Sequence, residues 1–384
     1  MIRNVPDGWR IEKLGNSFVA KIIMGQSPAS SSYNSNKDGL PFYQGKKDFG
    51  KKYPIAREYS NEPKKIAIQD DILFCVRAPV GITNIATEKC CIGRGLSAIR
   101  ANKLNCLSDF LRYFFIKNEK RISDRGRGST FVSINKKDLE ELEIQIPPLQ
   151  QQEKIVKVLD ISSQLIEKQK ELIQNYDLFL KSKFIEMFGD PIRNPMGWKV
   201  EKFSKLANIK TTSIQSDKIT NEIYIALDSI EKETGKLVEA YSSEEVDIKS
   251  NKYIFTSSML LYGKLRPYLN KVLLPNFDGI CSTDILPIEP ISDITTKQYI
   301  AYYLRNSKVV ELLSNSVSGA NLPRVSPKIL KDLNIQRIPI ELQNKFASIV
   351  EKIETIKSQE IQKLEHLETL HSSLMDKAFK GEIQ

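Results

Sequence analysis

The sequence predicts an α+β fold in which two mixed α/β globular units are separated by a long antiparallel two-helix coiled coil, the whole forming a pseudo-two-fold internal repeat. Three observations predict it. The chain states nearly the same text twice, about 190 residues apart: PDGWRIEKL (Pro6 to Leu14) returns as PMGWKVEKF (Pro195 to Phe203), and FLRYFF (Phe110 to Phe115) returns as YIAYYL (Tyr299 to Leu304). From Gly128 onward one offset, 191, pairs GSTFVSINKKDL with GANLPRVSPKIL, LEIQIPPLQQQEKI with LNIQRIPIELQNKF, and Phe188 with Phe379. Each copy ends in a long stretch without Gly or Pro whose apolar residues recur every seven positions, and a period this long is a repeated domain rather than a solenoid.

Taken in order, residues 1–147 form the first globular unit. The run Lys64 to Ala86 alternates β-rich segments with Asp-Asp and Pro-Val-Gly turns, and Ser108 to Asn118 reads as a helix. Pro147-Pro148 ends this unit, because proline lacks a backbone donor and biases the preceding residue away from helix. Residues 148–190 are then a helix with two adjacent heptad columns, Val158, Leu165, Leu172, Phe179 and Leu159, Ile166, Ile173, Leu180, Met187. After the break Gly189 to Trp198, residues 191–338 repeat the globular unit, with Ser257 to Pro275 in the strand-turn slot and a helix over Thr296 to Ser307. Residues 339–384 repeat the helix, with Phe346, Ile353, Leu367 and Leu374 on one column, Ile349, Ile356 and Leu370 on the next, and Glu360 and Lys363 interrupting both. Each helix is about 38 to 40 residues, roughly 58 Å long at 1.5 Å per residue. Neither is stable with its stripe exposed, and the connectivity makes their pairing antiparallel.

Composition narrows the function classes. The 384 residues are 41% hydrophobic and 27% charged, ordinary globular values. No window of about 18 apolar residues occurs and the N-terminal text lacks a secretory apolar run, which reads as a soluble intracellular protein with no membrane partner. The five cysteines (Cys75, Cys90, Cys91, Cys106, Cys281) have no metal spacing, and two histidines, His366 and His371, leave little for a zinc site or a histidine-based centre. Net charge is +9 over residues 1–147 and +4 over 191–338, against −1 and −2 over the two helical stretches. Positive charge confined to both globular units is what two faces turned to a polyanion require.

No nucleotide-binding glycine loop is present: GRGST (Gly126 to Thr130, preceded by Arg125) has Arg where a phosphate loop needs Lys, and FVSI follows it instead of a helix. Asn194-Pro195-Met196 lacks the second proline and the aromatic ring of an adenine-methylating loop, and Asp48 with Glu62-Pro63-Lys64 is the only loose match to a Mg²⁺ nuclease. The positive finding is a set of basic, glycine-punctuated loops. In the first copy these are QGKKDFGKKY, with Lys46, Lys47, Lys51 and Lys52, and KRISDRGRGST, with Arg125 and Arg127; in the second they are YGKLRPYLNK, with Lys264, Arg266 and Lys271, and SGANLPR, with Asn321 and Arg324. Lysines would neutralise phosphates, while Arg, Asn and Gln can pair bidentately with base edges. Arg125, Arg127, Arg266 and Arg324 lead this set. Phe184, Phe188 and Phe379, near the helix ends, are the candidates for contact with a protein partner.

These motifs resemble one family, the specificity subunits of type I DNA restriction-modification systems. The resemblance spans essentially the whole chain: PxGW opening each half, GLPFYQGKKDFG in the first, ALDSIEKETG, LLYGKLRPYLNKV and GICSTDILPIEP in the second, IPPLQQQEKIV and IPIELQNKFASIV leading the helices, and EMFGDP and SLMDKAFKGEI closing them. It implies a non-catalytic prokaryotic cytoplasmic subunit with two target-recognition domains, each reading one half of a split double-stranded DNA site. It further implies helices that fix the unread spacing and dock two modification (methyltransferase) subunits, with restriction (translocase/endonuclease) subunits joining. S-adenosylmethionine, Mg and ATP would belong to those partners and no cofactor to this chain. The reading loops differ between the copies, so the implied target is asymmetric. A stand-alone two-headed DNA-binding regulator and a Mg-dependent nuclease are the alternatives.

Overall fold

The computed structural model describes residues 6–124, 133–317 and 322–383, and the chain gathers into two compact units. The first holds the described residues up to Lys168 together with those from Leu364 onward, and the second is Gln169–Lys363. The first runs β1 (Arg10–Lys13), β2 (Ala20–Met24), β3 (Tyr33–Asn34), β4 (Leu40–Tyr43), β5 (Glu58–Ser60), β6 (Ile66–Ala67), β7 (Ile72–Cys75), β8 (Thr83–Ile85), β9 (Cys90–Ile92), β10 (Leu96–Ala101), α1 (Ser108–Ser123), α2 (Lys136–Glu140) and β11 (Glu143–Ile146), after which the long helix α3 (Leu149–Phe188) begins. Strand β1 pairs antiparallel with β11, Arg10 opposite Ile146, which fastens the start of the unit to the strand leading into the helix. Gly8 holds φ of +81° and Gly197 of +68°, so the glycine of each PxGW turn occupies the left-handed region that a side chain disfavours.

Two sheets stack in this unit, β2-β10-β7-β8 and β3-β5-β4-β9-β6, with β4 and β9 the one parallel pair among the described residues. Strand β7 explains the stacking. Ile72 and Phe74 point to the cluster built around Phe110, Leu111 and Phe115 of α1, while Leu73 and Cys75 point to the cluster shared with β4 and β9. A strand buried on both faces reads as a continuous apolar run rather than an alternation, as ILFC does. All five cysteines are buried free thiols, and burial pushes Cys75, Cys90 and Cys106 up to about 12.

The second unit repeats the frame as β12 (Val200–Lys202), β13 (Ala207–Ile209), β14 (Ser213–Ile214), β15 (Ile223–Ile225), β16 (Tyr241–Ser242), β17 (Lys252–Phe255), β18 (Leu260–Gly263), β19 (Val272–Leu273), β20 (Gly279–Cys281), β21 (Ile285–Pro290), α4 (Lys297–Arg305), α5 (Ser307–Asn315), α6 (Pro327–Asp332), β22 (Asn334–Gln336) and the long helix α7 (Ile340–Lys380). Its sheets are β13-β21-β18-β19 and β14-β17-β20-β15-β16, and β12 closes on β22. The order β17-β20-β15-β16, with its parallel β15–β20 pair, repeats β6-β9-β4-β5. The fifth strand differs: β3 adds beside β5, whereas β14 adds beside β17, at the opposite edge. Helix α1 is continuous, but its counterpart stops at Arg305 because Asn306 is extended (φ −63°, ψ 131°) and its side chain caps α5 by accepting from the Lys308 N–H at 3.0 Å.

The repeated Gln in LQQQEK and ELQNKF has the same task twice. Gln152, fully buried, donates to the carbonyls of Asn105 and Pro147 at 2.8 Å and accepts from the Leu107 N–H at 2.8 Å. Gln343, also fully buried, donates to the carbonyls of Ile294 and Ile338 and accepts from the Thr296 N–H at 3.0 Å. Each amide thus satisfies loop and strand-end groups that would otherwise be orphaned beside the helix start.

Within each unit the long helices run antiparallel. In the first, the Gln151 amide donates to the Ile383 carbonyl and Ser162 bonds His371; in the second, Gln169 bonds Glu360 and Lys357 pairs with Asp177. Only one of the two expected heptad columns of α3 is buried. Leu159, Ile166 and Leu180 are inside, but Leu165, Leu172 and Phe179 are 46%, 38% and 46% exposed. Two helices bury one narrow seam, and a second column needs a third element to cover it.

Candidate nucleic-acid interface

The loop after β4 is the best-defined basic surface of the first unit. Buried Asp48 organises it: its carboxylate accepts from the Gln44 N–H at 2.6 Å and the Gly45 N–H at 3.3 Å, forcing a single tight turn from which Lys46 and Lys47 project. Lys46 is exposed, and Lys47 lies 3.6 Å from Glu58. Asp48 thereby spends one carboxylate oxygen on the backbone donors of its own turn. No group of three or more His, Cys, Asp or Glu able to hold a metal occurs among the described residues.

Lys51 and Lys52, expected at the DNA, are ion-paired to the helices. Lys51 is in an ion pair with Glu167 of α3, and the Lys52 ammonium lies 2.8 Å from Asp109 of α1 and 3.9 Å from Asp160 of α3. The Tyr113 hydroxyl donates to the same Asp160 at 2.6 Å. A lysine already held by carboxylates adds little net charge toward phosphate, so this pair fastens the loop to the helices. Lys271 in the second unit is likewise engaged within the chain: its amine donates to the Leu227 carbonyl at 2.8 Å, and burial lowers its pKa. Arg125, Arg127 and Asn321 lie outside the described residues.

Two residues that sequence reasoning passed over complete the first surface. Arg77 leaves the end of β7 and Arg94 precedes β10, both exposed, and with Lys46 they line a cleft of about 180 Å³ whose other walls include Gln44, Gly45 and Gly95. A Cβ on Gly95 would stand 2.2 Å from the Gln44 carbonyl oxygen, so only glycine lets the turn before β10 close on the loop. Single arginines inside apolar text such as CVRAPV give no charge-run signal, which is why they are invisible without the fold.

In the second unit the loop after β18 is zipped to the Pro323–Val325 segment. The Arg266 N–H donates to the Pro323 carbonyl and the Val325 N–H to the Lys264 carbonyl, and Leu265 bridges Arg324. Ile134 donating to Val76, and the Arg77–Ser133 bridge, are the same arrangement in the first unit. Arg266 sits at φ +52° and is exposed, while the Arg324 Nε lies 3.3 Å from Asp284. Lys264 is half-buried beside them.

Residues 6–175 and 195–368 each match the family profile described as type I restriction modification DNA specificity domain. The chain belongs to that family. It is 47% identical over 176 residues to a chain assigned as the MjaX specificity subunit of a type I restriction enzyme in Methanocaldococcus jannaschii, a stretch covering 45% of this chain and 41% of that relative. It is 27% identical over 314 residues to the type I restriction enzyme EcoDI specificity subunit of Escherichia coli, covering 72% and 70%. The crystal structure of the type I restriction-modification S subunit from M. genitalium shares the fold, with a TM-score of 0.59 at 14% identity over 98% and 96% of the two chains. A type I specificity chain is a DNA-recognition subunit and not itself catalytic. Among its described residues, no helix is long and apolar enough to cross a membrane.

The residues expected to meet a partner protein need correction as well. Phe184 and Phe188 are 2% and 0% exposed, packed with Phe346 and Tyr299 at ring-centroid distances of 5.0 to 5.8 Å. Phe379 is half-buried against Phe110 and Phe114, with the Lys117 ammonium over its ring. Aromatic residues closing a helix seam are its largest apolar surfaces, and the core takes them first.

Proposed function

We propose that this specificity chain reads a bipartite, asymmetric double-stranded DNA site, one half with each unit. The long helices set the unread spacing and dock two adenine-methylating modification subunits, to which restriction subunits add. One observation carries this reading: a common two-sheet frame is built twice, and the loops at the same places on it carry different side chains. A repeated frame presents two readers, and unlike loops give them unlike targets. S-adenosylmethionine, Mg and ATP belong to the partners in this scheme. The apolar residues left uncovered on α3 in the second unit, Leu172 and Phe179, support docking there, since a heptad-spaced pair in water is a surface suited to another helix.

Sequencing the methylome of a host that carries the chain with its modification subunits tests the reading directly. A two-part asymmetric motif with a fixed gap is expected; a single contiguous or palindromic motif would sink it. Inserting seven residues after Ser163 and seven in α7 beside His371, the residue that Ser162 bonds, should change the gap and leave both half-sites as they were. A change in the half-sites themselves would end the ruler role.

A further inference from the structure

The pairing registers superpose the two reading surfaces residue by residue. In the first unit β4 lies parallel to β9 with Tyr43 opposite Ile92, and in the second β15 lies parallel to β20 with Ile225 opposite Cys281. Three residues beyond each strand stand Lys46 and Asp228. The Val76 N–H donates to the Gly95 carbonyl at 3.0 Å, and the Lys264 N–H to the Asp284 carbonyl at 2.9 Å, so Gly95 and Asp284 occupy one slot. The cleft that holds Lys46, Arg77 and Arg94 in the first unit therefore has Asp228 and Asp284 in its place in the second. No ion pair engages Lys46, Arg77 or Arg94 among the described residues, whereas Arg324 has Asp284 beside it.

We infer that the Lys46–Arg77–Arg94 cleft reads a guanine edge in the half-site met by the first unit, and that the second unit, with carboxylates in that slot, has no such guanine reader. The inference rests on the bipartite reading above. Lys46, Arg77 and Arg94 can only donate, so the three cationic side chains of this cleft favour a base edge that presents acceptors. In the major groove guanine presents two adjacent acceptors, N7 and O6, which one guanidinium can take bidentately, whereas thymine presents a single O4 beside a methyl group and adenine and cytosine present an amino donor. Two planar guanidinium forks on one cleft are also built for bidentate pairing with such an edge.

The test uses the chain assembled with its modification subunits and a DNA pool randomised over both half-sites, with the bound fraction sequenced. The wild type should enrich guanine in one half-site. Arg77→Ala and Arg94→Lys should each lose that preference by about 5- to 150-fold, the span of one bidentate pair, and leave the other half-site unchanged. Arg94→Lys keeps the charge, so its salt slope should equal the wild type's. Equal weakening on every sequence, with the slope falling by about one for Arg77→Ala, would make these phosphate contacts and overturn the inference while the bipartite reading stands. A wild type that enriches no two-part sequence would remove both.

Discussion

Phe184 and Phe179 sit five residues apart on α3 and should respond to truncation in opposite ways. Phe184 is 2% exposed and its ring lies 5.0 Å from Phe188, 5.7 Å from Phe346 and 5.8 Å from Tyr299. Phe184→Ala removes a fully buried ring and leaves a cavity that four aromatic neighbours cannot readily fill, a loss of about 3–5 kcal/mol. For a unit of roughly 200 residues, each kcal/mol moves the midpoint by about 2–4 °C, so the second unit's transition should fall by about 6–20 °C. Phe179 is 46% exposed, and Phe179→Ala should change stability by less than about 0.5 kcal/mol while weakening capture of the modification subunit. Calorimetry of the full chain, with Phe346→Ala marking which transition belongs to the second unit, and a binding titration with the modification subunit read the two effects. A Phe184→Ala chain that melts like the wild type but no longer binds its partner would refute this assignment and return Phe184 to the docking surface.

Lys52→Ala should leave the slope of DNA affinity against salt unchanged, because its charge is already spent on Asp109 and Asp160, whereas Lys46→Ala should reduce it by about one; equal reductions would restore Lys52 as a phosphate contact. Asp190 accepts from the Lys308 amine and from the N–H groups of Arg193 and Ile192, which hold its pKa at about 2 rather than the usual 3.8. A depressed carboxylate stabilises the fold above its unfolded value, and that contribution disappears as pH falls through the folded one. Asp190→Asn should therefore flatten the fall in urea midpoint between about pH 4 and pH 2, and acid limbs that stay parallel would count against it.

The frame was legible in the sequence because it depends on local text. Proline-led helices, the PxGW turn with its obligatory glycine, and the 191-residue offset need no knowledge of distant contacts. What escaped depends on residues that only the fold brings together. Lys51 looks like a free cation until Glu167, 116 positions away, is found beside it. Arg77 and Arg94 are isolated charges in apolar text until the turn before β10 closes on Gln44. The two heptad columns of α3 are equivalent as strings, and only the partner helix decides that Leu159 faces inward and Leu165 does not. Asn306 within the expected Thr296 to Ser307 helix is unremarkable until its side chain is seen to cap the next helix.

The polar interruption in α7 has its explanation in the duplication itself. Gln169 and Glu360 are separated by 191 residues, the offset of the repeat, and they bond each other: the Gln169 amide donates to the Glu360 carboxylate at 2.6 Å and to its carbonyl at 2.9 Å. Where two identical antiparallel helices cross, a residue meets its own copy, so a glutamate there would face a glutamate. A duplicated chain is free of that rule, and here one copy supplies the donor and the other the acceptor, with Lys363 as a second partner for Glu360 at 2.7 Å. These partners, Lys363 first, hold the Glu360 pKa below the usual carboxylate range. Gln169→Glu restores the symmetric pairing and sets two carboxylates against each other. The midpoint of unfolding should drop at neutral pH and recover as acidification protonates one of the pair, whereas Gln169→Leu, which removes the donor without adding charge, should show no such recovery. A Gln169→Glu chain as stable as the wild type at neutral pH would mean that this hydrogen bond does not hold the helices in register.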